Sequence, residues 1–478
     1  MLYSVRDGYY YRQALLRPRS RAPLAGNSPE KANPELPPLL TERLQPTAVV
    51  LCEGPGGLGV VRALHRHGVP TIAIAQERGA PVLSSRFPKR KIRVSATPLG
   101  TFDDRQRSVL AGLGEERPVL IPTSDRLAAF MLRYRDELAA RFDFCLPDGR
   151  LVDLLNDKAE ETRLIASLGI PVPRTVQALP ARWSELEQAL GLPMIIKPRS
   201  FEHKGCLGRK NLVLRERAEL QALYERHRDD LSVLIAQEVI PGPDETLWLC
   251  SATFNQRHEL VEGLVKRKIR MSPPHFGVCS FAVSASNPEV LGLAARLGSG
   301  LRYTGHAALE FKWDHRDGLY KYIELNPRTP ASVALDEASG VPTVWNTYRV
   351  ARGEDVVPVA PRQRDGVVYL KLPEDLYNRL KDGETPAGIL RHYLGWVFHK
   401  RVGAHFAWHD PLPGVVHIWR YLSNPIAERL RRFRTREWRR AGAPAAPSRC
   451  LGSSPPEGRG RDAVPAEQRG GKAAADPR

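Results

Sequence analysis
The stretch HAALEFKWDHRDGLYKYIELNPR, residues 306–328, constrains this chain more than any other. It reads as two strands joined by a tight reversal. The first alternates through Leu309, Phe311 and Trp313, and the second runs through Tyr320, Tyr322 and Ile323. Between them, His315-Arg316-Asp317-Gly318 has turn composition, with a glycine where positive φ is needed. Folding the chain about Asp317 sets Glu310 opposite Glu324, and the period of two puts Asn326 on the same face as Glu324. Like charges directly opposed on a sheet destabilise it. A hard cation between them removes that cost, and carboxylate plus amide oxygens suit Mg²⁺, with Mn²⁺ as the alternative. The plainer alternatives are two solvated glutamates on an exposed face, or a register shifted by one.

The rest of the chain bounds what such a hairpin belongs to. At 478 residues there is room for two or three domains with cores of their own. With 42% hydrophobic and 26% charged residues and no apolar run long enough to span a bilayer, it reads as a soluble globular protein. The N-terminus lacks a signal-peptide hydrophobic region, and six scattered cysteines without a Cys-x-x-Cys pair fit reduced thiols, so the expected location is cytoplasmic. Much of the net charge of +18 comes from the run Arg429–Arg440. Its plain reading is a solvated helix leading into a tail, and its alternative is peripheral contact with an anionic membrane surface. No nucleic-acid-binding motif accompanies the run, so no nucleic-acid partner is expected. A homodimer is a further expectation.

The expected fold class is α/β. Residues 1–45, rich in proline and arginine, read as a disordered arm, and 46–150 as an open Rossmann-like domain starting strand–helix–strand (TAVVLCE, GVVRALHRHG, VPTIAIAQE). Residues 151–355 carry the chemistry, 356–425 form an accessory segment, and 426–478 a basic helix and disordered tail. Gly54-x-Gly56-x-x-Gly59 follows a strand, opens a helix and has Glu77 at the end of the next strand, which matches a dinucleotide fingerprint. Glycines are needed there for any sharp strand-to-helix turn, and nothing downstream supplies a hydride-transfer set, so an NAD-dependent oxidoreductase is a minor alternative.

Four features follow in order after residue 150. Lys158 opens a helix that ends at GIPVPRT, and Lys197 ends the strand MIIKP; as a pair they offer point charges for a polyphosphate. The loop SFEHKGCLGRKN, with Gly205, Gly208 and Lys204, has the composition of a flap over phosphates. AQEVIPGPDE then ends an apolar strand in a Pro-Gly turn, with Asp244 and Glu245 placed to hold ribose hydroxyls. Last comes the hairpin itself, preceded by Lys268 and Arg270. His306 and His315 flank the hairpin and read as structural or surface histidines rather than bases.

In this order and spacing the chain resembles the ATP-grasp superfamily over about residues 46–355. Within it, the phrases Ser84–Phe87, Ile121–Asp125, Lys268-x-Arg270 and Asp410–Pro413 resemble carboxylate–amine ligases of the D-aspartate ligase type. The resemblance implies an open α/β domain followed by a two-lobed α+β nucleotide-binding domain. It also implies an ATP- and Mg²⁺-dependent ligase that activates a carboxylate as an acyl phosphate and joins it to an amine. By the same resemblance Lys158 and Lys197 bind α/β-phosphates, and Gln237, Glu238, Val239 and Ile240 form the adenine hinge. Glu310, Glu324 and Asn326 hold metal, and Lys268, Arg270 and Arg328 stabilise the transferring phosphoryl group. The flap here is poor in glycine compared with many members. Alternatives that keep the nucleotide site are a phosphotransferase and a carboxylase. Ser124 and Asp125, at the end of a strand of the open sheet, are the substrate candidates, with a helix N-cap as the structural alternative for Asp125.

Overall fold
The computed structural model describes residues 45–76, 80–94, 102–200, 202–208, 211–272 and 277–423. The arm 1–44, Glu77 and the Arg429–Arg440 run lie outside the described residues. The first layer is the open sheet expected at the start. β1 (Ala48–Cys52), β2 (Thr71–Ala75), β3 (Arg90–Arg93) and β4 (Val119–Pro122) are all parallel, in the order β3-β2-β1-β4. β1 and β2 are continuous apolar runs because both faces are covered. Helix α1 (Gly54–Arg66) packs on one face, and α2 (Phe102–Ala111), α3 (Asp125–Arg133) and α4 (Arg135–Ala139) supply the core of the other.

Helices α5 (Gly149–Asn156) and α6 (Lys158–Ser167) lead into a small antiparallel sheet. It holds β5 (Thr175–Val176), β6 (Met194–Pro198), β7 (Leu212–Leu214) and β8 (Leu234–Glu238), in the order β5-β8-β6-β7. α7 (Trp183–Leu190) and α8 (Arg217–Arg226) close its core with Leu186, Leu190, Leu220 and Leu223.

The central sheet has seven strands in the order β13-β12-β9-β10-β11-β14-β15. They are β9 (Leu247–Phe254), β10 (Leu260–Ser272), β11 (Val278–Ser284), β12 (Gly305–Asp314), β13 (Leu319–Asn326), β14 (Val368–Leu370) and β15 (Arg401–Gly403). Side-chain alternation splits the sheet into unlike faces. Cys250, Phe254, Val265, Leu309 and Phe311 pack against helix α9 (Pro288–Gly300) through Leu293 and Leu297. The opposite face carries Ser251, Lys266, Lys268, His306 and Glu310, by the pairings β12·β9 and β9·β10. Helices α10 (Ala334–Ala338) and α11 (Thr343–Ala351) cover the far end of that face.

The hairpin has the expected pairing for a reason the sequence did not display. Asp314 pairs with Leu319 and Phe311 with Tyr322, so the turn pivots between Arg316 and Asp317 rather than on Asp317. A bulge between Glu310 and Phe311 on that register leaves Ile323 unpaired, and only then does Glu310 face Glu324. Tyr322 and Leu325 both point into the apolar core as a result, which regular alternation would forbid. The bulge turns Glu324 and Asn326 onto the polar face.

The stretch 356–425 is more than an accessory. It supplies β14 and β15, then α12 (Leu372–Lys381), α13 (Pro386–Gly395) and a helix α14 over 412–423. It also reaches back to the first domain through Asp410. That carboxylate accepts from Arg62 Nε (3.0 Å), Ser85 Oγ (2.7 Å) and Arg86 N (3.1 Å). The Ser84–Phe87 and Asp410–Pro413 phrases, more than 300 residues apart, are thus two halves of one buried contact.

Candidate active site
The two lysines converge because helix α6 starts on the end of strand β6. Asp157 caps the helix by accepting from Ala159 N (3.0 Å) and Glu160 N (3.3 Å), and its other oxygen holds Arg199 Nε at 2.6 Å. Lys158 N donates to Arg199 O (2.8 Å), two residues past Lys197. Burial on its own would lower the Lys158 pKa, but the carboxylates of Glu161, Glu324 and Asp125 hold it above its ordinary value. Lys197 Nζ donates to Gln237 Oε1 (2.8 Å), tying the strand to the hinge.

On the polar face, Lys268 Nζ lies 2.6 Å from Glu310 Oε1, with Glu324 directly across the hairpin. Arg328 donates to Asn326 Oδ1 (3.2 Å) and pairs with Asp125 Oδ1 (2.9 Å). Asp125 thus comes from the open sheet to the edge of the hairpin beside Asn326, although more than half of its side chain stays exposed. Among the described residues no three His, Cys, Asp or Glu side chains converge as a metal cluster. Two opposed carboxylates and an amide, flanked by Lys268 and Lys158, are still an oxygen donor set of the hard-cation type, and Mg²⁺ fits it.

Other expected site residues are held differently. The Glu238 side chain is buried and locked by Arg174 N (3.0 Å), Arg174 Nε (3.2 Å) and Arg316 Nη2 (3.0 Å), and its own backbone N donates to Arg174 O (3.0 Å). This lock ties the hinge to the hairpin turn, where Arg316 and Lys321 also pair with Asp314. Burial would raise the Glu238 pKa, but these donors keep it below its ordinary value. Val239 N donates to Pro193 O (3.4 Å), and Ile240, the last hinge residue, is buried. Glu245 pairs with Arg267 (3.2 Å), and burial lowers the Lys312 pKa against the opposing pull of nearby Asp244. Arg270 is a correction. Its guanidinium is held bidentate by Asp375 (2.8 and 2.7 Å) and stacked on Phe281 (4.3 Å), so it bolts α12 to the sheet instead of facing the carboxylates. The cause is the irregular register of β10 on either side of Arg270. Ser124 N-caps α3 and donates to Glu53 Oε2 (2.5 Å), while Asp125 is the first residue of the helix rather than its cap. For the flap, Lys204 falls in the short turn Glu202–Gly205, and its side chain lies outside the described set.

The glycine motif is a packing device. A Cβ on Gly59 would sit 2.7 Å from Val333 Cγ1, and one on Gly56 3.5 Å from Pro330 O. The segment after ELNPR therefore packs against these two glycines, which accounts for them without a bound dinucleotide.

Sequence reasoning missed two groups. Glu161, one turn after Lys158, is buried and accepts from Tyr322 Oη; its pKa is raised by burial against the pull of Lys158. Its signal was a Lys-x-x-Glu spacing in the first turn of a short helix. Beneath Glu310, Lys266 Nζ meets Asp336 Oδ1 at 2.8 Å with both fully buried, and Ser251 and Thr343 donate to the same carboxylate. Ser251 also contacts His306 Nε2 (3.2 Å), whose burial drops its pKa to about 3, so the imidazole is neutral and structural. Lys266 stood in KRKIR beside the residues singled out, but only tertiary contact with Asp336 distinguishes it.

No family model matches the chain. It is 25% identical over 224 residues to D-aspartate ligase of Enterococcus faecium (strain Aus0004), covering 44% of this chain and 53% of that protein. It is 35% identical over 112 residues to N5-carboxyaminoimidazole ribonucleotide synthase of Synechococcus elongatus, covering 23% of this chain and 26% of that protein. The chain thus matches about half the length of the first relative and a quarter of the second. Among solved structures, the biotin carboxylase domain of 2-oxoglutarate carboxylase from Hydrogenobacter thermophilus, in complex with MgADP and bicarbonate, superposes with a TM-score of 0.55. That match is at 18% identity over 68% of this chain and 74% of the other. The fold is ATP-grasp. In ATP-grasp terms the small sheet and the central sheet are the two lobes.

Proposed function
We propose that this ATP-grasp protein is an ATP-dependent ligase that activates a carboxylate as an acyl phosphate and joins it to an amine, the acid being an amino acid or small carboxylate. The observation that carries the reading is the meeting of Lys158, Glu161, Lys197 and Glu324 in one electrostatically coupled cluster beside the Glu310–Lys268 pair. Phosphoryl transfer asks a protein for positioning and charge neutralisation more than for covalent chemistry. Lys158 and Lys197 hold the α- and β-phosphates, and the hinge backbone at Glu238–Ile240 reads the adenine edge. Asp244 and Glu245 lie on the ribose side. Mg²⁺, or Mn²⁺ in its place, would be held by Glu310, Glu324 and Asn326 and would neutralise phosphate oxygens. Lys268 and Arg328 offset charge on the transferring group, and Arg270 drops out of that role. A substrate carboxylate oxygen attacks the γ-phosphorus, the bond to the β–γ bridging oxygen breaks, and ADP leaves. The amine nitrogen then displaces phosphate at the carbonyl carbon. Ser124 and Asp125 border the acid or amine at the end of the open sheet.

Screening pairs of amino acids and small carboxylates for ADP release tests this directly. A pair in which ADP release requires both acid and amine is the expected result; release with an acid alone would mean a phosphotransferase. The bicarbonate-bound neighbour favours one second reading, carboxylation, for which bicarbonate would replace the organic acid as the required component.

A further inference from the structure
Glu161 occupies a place on α6 that an apolar residue would fill. It lies among the buried residues of that helix with Ala159 and Ile165, its side chain 5% exposed. Replacing a buried charge pair by well-packed apolar side chains is often neutral or stabilising, so packing alone does not call for a carboxylate there. What the carboxylate has is a partner on each side. Lys158, three residues back, places Nζ 3.8 Å from Oε2, and Tyr322 on β13 donates its hydroxyl to Oε1. Exposed ion pairs three residues apart on a helix are common and weak. This one differs, because its acid is buried and is gripped by a second element.

Tyr322 reaches α6 because of the bulge in the hairpin. The irregular step between Glu310 and Phe311 leaves Tyr322 in the core, edge-on to Phe311, while Glu324 turns to the polar face. The main chain repeats the attachment, since Tyr322 N donates to Pro171 O (2.8 Å) in the segment that follows α6. The strand that carries Glu324 is thus sewn to the helix that carries Lys158 at two points. Lys158 is acted on by Glu161 from its own helix and by Glu324 from the hairpin, and the pull of Glu161 is the larger. The lysine side chain is 33% exposed against 5% for the acid, so the ammonium is the end that a ligand can reach. We propose that Glu161 is a positioning residue, which holds the Lys158 ammonium in place for the polyphosphate and away from Glu324, with Tyr322 setting its aim from the hairpin. Without Glu161, Lys158 turns to Glu324, and two groups that serve different parts of MgATP neutralise each other. The inference rests on the nucleotide site of the ligase reading, and on none of its acid or amine chemistry.

Fluorescence titration of the full chain with MgATP, with thermal midpoints measured alongside, tests the proposal. Glu161→Gln keeps the shape and an acceptor for Tyr322 but drops the charge. It is expected to raise the dissociation constant about tenfold, on the scale of one misplaced charge-assisted hydrogen bond. It should also raise the Mg²⁺ concentration needed for half-saturation by ATP, which a loss of packing would not do. Tyr322→Phe keeps the ring in the core and is expected to weaken binding by about threefold. Because Glu161 acts through Lys158, Glu161→Gln should add nothing in a Lys158→Met background. Unchanged affinity in Glu161→Gln, a lower thermal midpoint with affinity intact, or losses that simply add to those of Lys158→Met overturn the proposal. A parent protein that binds no ATP overturns it together with the nucleotide site. A parent that binds MgATP, yet shows no ADP release requiring both acid and amine, fails only as a ligase, and the same affinities still decide the role of Glu161.

Discussion
Two stretches of this chain carry nucleotide-site signatures, and the structure treats them oppositely. GPGGLG at 54–59 has the letters and the strand-to-helix context of a dinucleotide loop, yet Gly56 and Gly59 are filled against by Pro330 and Val333 of the same chain. The hairpin at 306–328 has no such fingerprint, yet Glu310, Glu324, Lys268, Lys158 and Glu161 converge around it. The two are physically joined, because the segment 329–338 that packs on the glycines also carries Asp336, the partner of Lys266 under the hairpin. A glycine pattern records how closely backbone must approach, without saying what approaches. Opposed charges record an energetic cost that something must offset.

The comparison can be broken most sharply at Glu324. Glu324→Ala should lower ADP release on the order of 10³-fold while nucleotide binding, followed by fluorescence titration, persists. Unchanged turnover would return the hairpin to a structural role. Next, Asp336→Ala strands Lys266 as a buried unpaired cation and should cost about 3–5 kcal/mol in urea unfolding. Restoring that stability with Lys266→Met in the same chain would confirm the pair as the cause. Gly59→Ala should cost about 1–3 kcal/mol by pressing on Val333, with nucleotide affinity in the assay above unmoved. Loss of affinity with stability intact would revive the first site.

A further effect is expected on pH dependence. His306 lies on the first strand of the hairpin and His405 in the anchor of α1, and burial lowers each from an ordinary 6.5 to about 3. The unfolded chain therefore binds protons first, so stability present above pH 6.5 is lost as pH falls toward 3. Urea midpoints at pH 7 and pH 5 measure it, and comparing His306→Gln with His405→Gln shows which region carries more of the slope.

Much of the site was legible because it depends on local pattern. Lys158 follows a capping Asp157, Lys197 ends a strand, and the carboxylates sit on a short hairpin, all readable within a few residues. Arg270 was misread because a β-bulge re-aims a side chain without altering composition. Glu161 and Asp336 were missed because a buried charge is recognised only by its partner, and Tyr322 and Lys266 lie far along the chain.

By itself, the sequence determined the element types, the parallel open sheet, and the order of the two lysines, the Pro-Gly strand end and the hairpin carboxylates. Those follow from periodicity, turn chemistry and charge, which act over short distances. Tertiary structure alone decided that Gly59 packs against Val333, that a bulge sets Glu310 opposite Glu324, that Glu238 is a structural lock, that Arg270 bolts down α12, and that Asp410 joins the chain's late segment to its first domain. Each depends on which distant surface arrives at a residue, and burial makes that arrival energetically decisive.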